Sequence, residues 1–206
     1  MLSLLDRKIR QLHEALGDVQ SPHLEAVHTE RGVAFGAYYC RVDFNQGRTE
    51  AELANLASLL VANVACLKDH LKQWCSNSGK AFEGDTLINT NRDVALVHDL
   101  WNTDKHATLT KSRSGCQPKL IDLRQTLALT TGVGEKGGTV FRMELATGKV
   151  LAQSSGSGSS GIRVSAQIVD EHGTKVGDFL EVCERATSAW EQALVRAGVP
   201  IPLRAP

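Results

Sequence analysis

The stretch that decides the fold is Asn91-Arg-Asp-Val-Ala-Leu-Val-His-Asp-Leu-Trp-Asn-Thr-Asp-Lys-His-Ala-Thr-Leu109, which is long enough for an α-helix of about five turns. One flank of this helix is apolar and carries Leu96, Val97 and Leu100. The opposite flank carries a polar ladder, with side chains about one turn apart: His98, Asn102, Lys105 and His106. A helix used only for packing would not need this ladder, so the stretch predicts a core helix with a candidate site. Such a ladder is also typical of a solvated face or a hydrogen-bonded structural seam.

A second long helix is predicted upstream, over residues 49–77. Thr49 followed by Glu52 is a capping box, and leucines and valines then recur at helical spacing. Beside this apolar stripe runs another that contains Asn63 and His70. The connection over residues 80–90 is short, so we expect the two helices to pack antiparallel and the two polar stripes to meet. A buried cluster of this kind must be hydrogen-bonded, or it costs stability.

The first part of the chain is expected to contain one further helix and one strand. Apolar residues recur every three or four positions over residues 2–16, which predicts a helix that ends at Gly17. Residues 18–32 have no period, so we expect a loop there. Residues 33–44 are β-branched and aromatic, which favours a strand.

After residue 110 the apolar residues alternate, which is typical of strands. Four strands joined by short turns are predicted, over residues 119–131, 139–146, 149–153 and 162–169. The segment over residues 154–161, Ser-Ser-Gly-Ser-Gly-Ser-Ser-Gly, is predicted to be a flexible loop. Gly177-Asp178 then caps a last helix, whose apolar stripe includes Phe179 and Trp190. We expect both aromatic side chains to be buried.

These elements predict an α+β protein with an antiparallel helical core, an antiparallel β-meander and a closing C-terminal helix. We expect a single compact domain over residues 1–206. Its helical part covers residues 1–110, and the meander and last helix occupy residues 111–206.

Composition excludes several classes of function. The net charge of the 206 residues is zero, so the chain has no global basic field for coating nucleic acid. Its five cysteines are scattered without a Cys-x-x-Cys pair, which argues against a zinc knuckle or a disulfide framework. No apolar run has the length of a membrane span, and the first residues lack a signal-peptide core. We therefore expect a cytoplasmic protein with reduced thiols, no membrane association and no cofactor.

Two helices resemble those of a widespread group of uncharacterised bacterial proteins. Ala62-Asn-Val-Ala-Cys-Leu-Lys-Asp-His-Leu71 is similar to their Asn-Leu-Arg-x-x-Leu-Asp-His-Leu helix, and Asn102-Thr-Asp-Lys-His106 is similar to their later Asn-x-x-Lys-His helix. Ala65 stands where the group usually has arginine. The resemblance covers only these two helices, and it implies a shared fold and polar cluster without an established activity.

Arg92-Asp-Val-Ala-Leu-Val-His98 resembles the loose Arg-x(4–6)-His pattern of HEPN-type helical domains, many of which are ribonucleases. This resemblance implies metal-independent RNA cleavage, in a toxin or defence system. His98 would shuttle protons in the attack of the RNA 2′-hydroxyl on its own phosphate, and Arg92 would stabilise the developing charge. Residues six apart point about 120° away from each other on an ideal helix. The pair therefore converges only if Arg92 sits at a frayed first turn or across a dimer axis.

The leading interpretation is a non-catalytic binding or interaction module whose polar cluster is structural or holds a small anion or a partner protein. The candidate binding residues are Asn63, His70, Asn102, Lys105 and His106. The HEPN-like endoribonuclease, with Arg92 and His98 as catalytic residues, is the alternative, so the sequence leaves open whether the protein is an enzyme. No metal site is expected, because the ladder with His98 and His106 has no acidic ligand. RNA, another protein and a second copy of the chain stay open as partners.

Overall fold

The computed structural model describes residues 4–21, 28–34, 37–43, 48–106, 109, 111–130, 139–143, 150–154 and 159–201. Its helices are α1 (Leu4–Asp18), α2 (Glu50–Asn77), α3 (Gly84–Thr90), α4 (Arg92–His106) and α5 (Phe179–Arg196). Its strands are β1 (Gln20–Ser21), β2 (His28–Ala34), β3 (Ala37–Asp43), β4 (Lys119–Thr130), β5 (Thr139–Met143), β6 (Val150–Ser154), β7 (Ser159–Val169) and β8 (Lys175–Asp178). The predicted α+β class is confirmed, and so is the closing helix after the last strand.

Contacts between residues divide the chain into two compact units. The first contains Met1–Asp18, Ala54–Leu123 and Ser165–Pro206, and the second contains Val19–Leu53 and Arg124–Val164. The first unit is mainly helical, whereas the second contains the hairpins. The prediction of a single domain over residues 1–206 stays a prediction.

The closing helix α5 provides much of the core of the first unit. Asp178 caps its start by accepting a hydrogen bond from the backbone N–H of Glu181. Phe179 and Trp190 are 0% and 1% exposed, which confirms the predicted burial of both side chains. The helix packs against α3 and α4. The apolar stripe of this amphipathic helix is therefore buried against neighbouring helices.

The long helix α2 begins at the predicted capping box. The Oε2 atom of Glu52 accepts from the backbone N–H of Thr49 at 2.7 Å, and the Thr49 hydroxyl accepts from the backbone N–H of Glu52 at 3.2 Å. The helix buries one apolar stripe along its length: Leu53, Ala57, Leu60, Val64, Leu67 and Leu71. By length and composition alone it could also cross a membrane, a test that the core helices of soluble proteins pass as well.

The sheet differs from a plain meander in its strand order. β7 has β1 and β4 as neighbours and also pairs with β8, while β5 and β6 pair with each other. β7 pairs antiparallel with both β1 and β8. Ile162, Val164, Ala166 and Ile168 are all buried along β7. This apolar alternation places one face of β7 in the core.

The segment before α2 also forms more strand than the sequence indicated. β2 and β3 pair antiparallel, with His28 opposite Asp43 and Ala34 opposite Ala37. The expected single strand over residues 33–44 therefore contains the end of β2 and all of β3, and the expected loop over residues 18–32 contains β1 and most of β2. The first arm, His-Thr-Glu-Arg-Gly, has no apolar alternation, so its sequence gave no strand signal.

Candidate functional site

The charged side chains in the first turn of α4 form hydrogen bonds with neighbouring elements. The Asn91 side chain starts the helix by accepting a hydrogen bond from the backbone N–H of Val94 at 3.0 Å. The Arg92 guanidinium donates to the carbonyl oxygen of Val176 at 3.3 Å. Asp93 accepts two hydrogen bonds from the guanidinium of Arg185, at 2.8 and 3.2 Å. Arg92, a predicted catalytic residue, thus lies beside the backbone of β8.

Within the polar ladder, neighbouring side chains interact with each other. The amide nitrogen of Asn102 lies 3.0 Å from Nδ1 of His98. The Lys105 ammonium lies 4.6 Å from the centre of the Trp101 ring, a cation–π contact. His106 is exposed at the last turn. The ladder is therefore two local pairs followed by a solvated histidine.

The candidate residues of α2, Asn63 and His70, also lie near groups other than the ladder of α4. The amide of Asn63 donates to the carbonyl oxygen of Leu59, one turn earlier, at 3.0 Å. His70 borders a small cavity of about 130 Å³ together with Leu4, Leu5 and Trp74. Burial lowers the pKa of His70, and the nearby charge of Lys8 lowers it further.

No hydrogen bond among the described residues joins Asn63 or His70 to the ladder of α4, which departs from the expected hydrogen-bonded cluster. The physical reason is that an amide on a helix can satisfy itself on its own backbone, as Asn63 does. Burial raises the pKa of the Cys66 thiol, and the Lys105 ammonium of α4 opposes that rise. The antiparallel packing of these two helices stays a prediction.

The most unusual group in the site is the carboxylate of Asp99, which is 0% exposed. Its Oδ2 atom accepts hydrogen bonds from the hydroxyls of Ser112 and Ser114 at 2.9 and 2.7 Å. It also accepts from the backbone N–H groups of Arg113 and Ser114, both at 2.7 Å. Four donors on one loop therefore converge on one buried oxygen.

These contacts decide the charge of Asp99. Burial alone would raise its pKa, but the favourable contacts with His98, Ser114 and Ser112 outweigh burial and lower the pKa from 3.8 to about 2. The carboxylate is thus ionised at neutral pH. A buried anion is tolerated because charged hydrogen bonds replace its hydration.

The other oxygen of this carboxylate, Oδ1, has no hydrogen-bond partner among the residues that the structure describes. Nδ1 of His98 lies 3.8 Å from it. That nitrogen already faces the Asn102 amide, which donates to it when the imidazole is neutral. A protonated His98 would instead direct an N–H towards Oδ1 of Asp99. His98 therefore acts on the Asp99 carboxylate from the side of Oδ1, and the loop binds the other oxygen by four hydrogen bonds.

The loop around Asp99 is also bonded to itself. The Ser112 hydroxyl accepts from the backbone N–H of Gly115 at 2.9 Å, and the Ser114 hydroxyl lies 3.5 Å from the thiol of Cys116. Gly115 has a φ of 84°, a conformation that residues with a Cβ rarely adopt. The segment was expected to be a plain polar loop, but these bonds fold it tightly around a buried charge.

The chain matches no protein-family model. No curated protein and no solved structure matches it either. In the part of the chain that the structure describes, no group of three or more histidine, cysteine, aspartate and glutamate side chains could hold a metal ion.

Sequence reasoning overlooked Asp99, although a signal was present. Asp99 lies three residues after Leu96 and next to Leu100, so it belongs to the apolar flank and not to the ladder. A charged residue on a buried flank needs partners, and the segment Ser112-Arg-Ser-Gly115 supplies hydroxyls and a flexible backbone nearby in the chain. Neither observation alone identifies the contact, because only the fold brings the two segments together.

Proposed function

We propose that the protein is a non-catalytic binding module in which the polar side chains of α4 are mainly structural. The observation that carries this proposal is that the acidic residues Asp93 and Asp99 of α4 are bound to other elements of the protein. Asp93 is bound to Arg185 of α5, and Asp99 is bound to the loop over residues 112–114. Both carboxylates hold elements together, and neither is presented to solvent as a free acid or base.

The same proposal places the protein in the cytosol. It is supported by the free thiols of the described cysteines: Cys66, Cys75, Cys116 and Cys183. It is also supported by the burial of the apolar stripe of α2 within the protein, because a membrane-spanning helix would expose such a stripe to lipid.

The endoribonuclease remains the competing proposal, and one observation favours it. Arg92 is exposed and its contact with Val176 is a single long hydrogen bond, so most of its donors stay available for a phosphate. The His98 side chain is 19% exposed, which leaves it partly accessible on the same helix. In that proposal Nε2 of His98 would transfer protons, since Nδ1 faces Asn102.

Incubation of purified protein with a mixed pool of single-stranded RNA separates the two proposals. Wild type, His98→Ala and Arg92→Ala are compared with and without EDTA, and the products are resolved on a denaturing gel. We expect no cleavage by any of them, and a lower melting temperature for His98→Ala, because the Asn102 amide would lose its partner at a cost of about 1–3 kcal/mol. Cleavage by wild type that both substitutions abolish and EDTA does not would overturn the binding-module proposal.

A further inference from the structure

Three basic side chains of the first unit, Lys68, Lys72 and Arg113, lower the pKa of the Asp85 carboxyl group. The Lys68 ammonium of α2 lies 2.9 Å from Oδ1 of Asp85 in α3. The hydrogen bond from Lys68 is the largest cause that lowers the pKa of Asp85, and the charges of Lys72 and Arg113 lower it as well. These three cations, Lys68, Lys72 and Arg113, are called the basic cluster. Lys72 and Arg113 are exposed and the Asp85 side chain is half exposed, whereas the Lys68 side chain is 22% exposed.

The cluster is unusual in a chain whose net charge is zero. Three cations lower the pKa of one acid, so the basic cluster and Asp85 together carry a net positive charge. The loop segment Lys111-Ser-Arg-Ser-Gly-Cys-Gln-Pro-Lys119 adds basic residues without an acidic one, although Glu171 binds the backbone of its Gln117 at 2.9 Å. A concentrated patch of this kind attracts polyanions over a few ångströms even when the whole protein is neutral.

The structure also holds the cluster in place. Lys68 and Lys72 lie one turn apart on α2, so their spacing is fixed by the helix. The Arg113 guanidinium donates to the side-chain oxygen of Asn89 in α3, and its backbone N–H is bound to Asp99. In the loop, Ser112 and Ser114 turn inward to Asp99, whereas Lys111 and Arg113 are exposed. The buried carboxylate thus anchors the loop that presents the basic residues.

We propose that Lys68, Lys72 and Arg113 bind the phosphodiester backbone of single-stranded nucleic acid, and that Asp85 occupies this site in the free protein. The proposal rests on the binding-module function and gives that module a ligand. Lysine, arginine and asparagine side chains are the groups that position phosphates in nucleic-acid complexes. Arginine suits phosphate because its planar donors can make two parallel hydrogen bonds to one anion.

Asp99 is a positioning residue in this proposal. It does not face the ligand, but it fixes the backbone from which Arg113 projects. A nucleic-acid strand would displace Asp85 from Lys68, so the acid weakens binding and prevents tight association with small anions.

The test measures the binding of a fluorescently labelled single-stranded RNA by anisotropy over a series of salt concentrations. Wild type is expected to bind, with an affinity that falls as salt rises. Lys72→Ala and Arg113→Ala should each weaken binding several-fold and reduce the slope of log K against log salt by about 0.7, the value for one phosphate contact on a single strand. Arg196→Ala is the matched control, because it removes an exposed cation from α5, and it should leave the binding unchanged.

Asp85→Asn provides a test of opposite sign, since removing the competing acid should strengthen binding. Asp99→Asn distinguishes an effect of Asp99 on the position of the Arg113 loop from an effect of its negative charge on the ligand. Loss of a negative charge alone would strengthen binding, whereas release of the Arg113 loop should weaken it. Because Asp99→Asn can also destabilise the fold, the milder Ser112→Ala is measured beside it and should weaken binding in the same direction.

The proposal is overturned if wild type shows no salt-dependent binding, or if Lys72→Ala and Arg113→Ala bind as wild type does. It is also overturned if an acidic polypeptide such as polyglutamate competes as well as RNA at equal charge, which would indicate an acidic protein as partner. Gel analysis of the RNA after each titration keeps the two proposals apart. Cleaved RNA contradicts the non-catalytic function alone, and absent binding contradicts the basic site alone.

Discussion

Replacing Asp99 by asparagine tests the anchored loop most directly. The substitution keeps the shape and one acceptor oxygen but removes the charge. Four hydrogen bonds of 2.7–2.9 Å end on Oδ2, and charged hydrogen bonds are worth about twice as much as neutral ones. The lowering of the pKa from 3.8 to about 2 corresponds to about 2 kcal/mol of folding free energy. We therefore expect Asp99→Asn to lower the free energy of unfolding at neutral pH by about 2 kcal/mol.

The pH dependence of this loss has a defined sign. The folded-state pKa of Asp99 is lower than its ordinary value, so the carboxylate stabilises the fold above pH 3.8 and the contribution disappears as the pH falls towards 2. The difference between wild type and Asp99→Asn should thus be full at pH 7 and should shrink below about pH 4.

Urea denaturation followed by circular dichroism measures both effects, with linear extrapolation at each pH. Asp104→Ala is the control, since it removes an exposed acid from the same helix and should change the stability by no more than about 0.5 kcal/mol. The reasoning fails if Asp99→Asn costs no more than Asp104→Ala. It also fails if the loss is the same at pH 7 and at pH 3.

Three further experiments test other parts of the fold. Trp190→Ala should lower the free energy of unfolding by about 3–5 kcal/mol because it opens a cavity in the core, whereas Val195→Ala on the same helix should have little effect; equal losses in urea titrations would contradict the buried position of Trp190. A double-mutant cycle of Asp93→Ala and Arg185→Ala should give a coupling of only about 0.2–1 kcal/mol, because Arg185 is 53% exposed; a coupling of several kcal/mol would show that water does not screen the pair. Thr49→Ala should lower the melting temperature by the loss of a helix cap, worth about 1 kcal/mol, and an unchanged value would mean that the capping box is not formed in solution.

The elements that the sequence predicted well are those specified by local chemistry. The capping box of Thr49 and Glu52 requires residues only three positions apart, and the stripe of α5 repeats over several turns. The class of protein and the closing helix follow from such signals. Helix α3 was missed because its seven residues, Gly84–Thr90, are too few to show a period, although Ile88 is buried.

Contacts between distant segments were harder to predict, and the site depends on them. The donors of Ser112 and Ser114 are local to one loop and their acceptor is on a helix, so the sequence shows each half without the pairing. The pairing of β4 with β7 was hard to predict for the same reason, since the two strands are neighbours in the sheet although two strands separate them in the chain. At Asn63 a long-range contact was predicted where the structure has a local one. Its polar character suggested a long-range cluster, but a helix can satisfy an amide on its own backbone.

A buried carboxylate is an expensive way to hold a loop, and apolar packing of the same volume is often as stable. Asp99 serves a purpose that an apolar residue could not, because the loop directs two adjacent backbone N–H groups and two hydroxyls into the interior. Those donors turn inward while the intervening Arg113 turns outward, and one anion satisfies all of them. An apolar residue at this position would leave the donors without partners or release the loop to solvent. In either case Arg113 would lose the backbone contact that holds it near Asn89 and Asp85 of α3. The stability of the loop and the proposed phosphate site therefore depend on the same carboxylate, and both are expected to weaken together when Asp99 is neutralised.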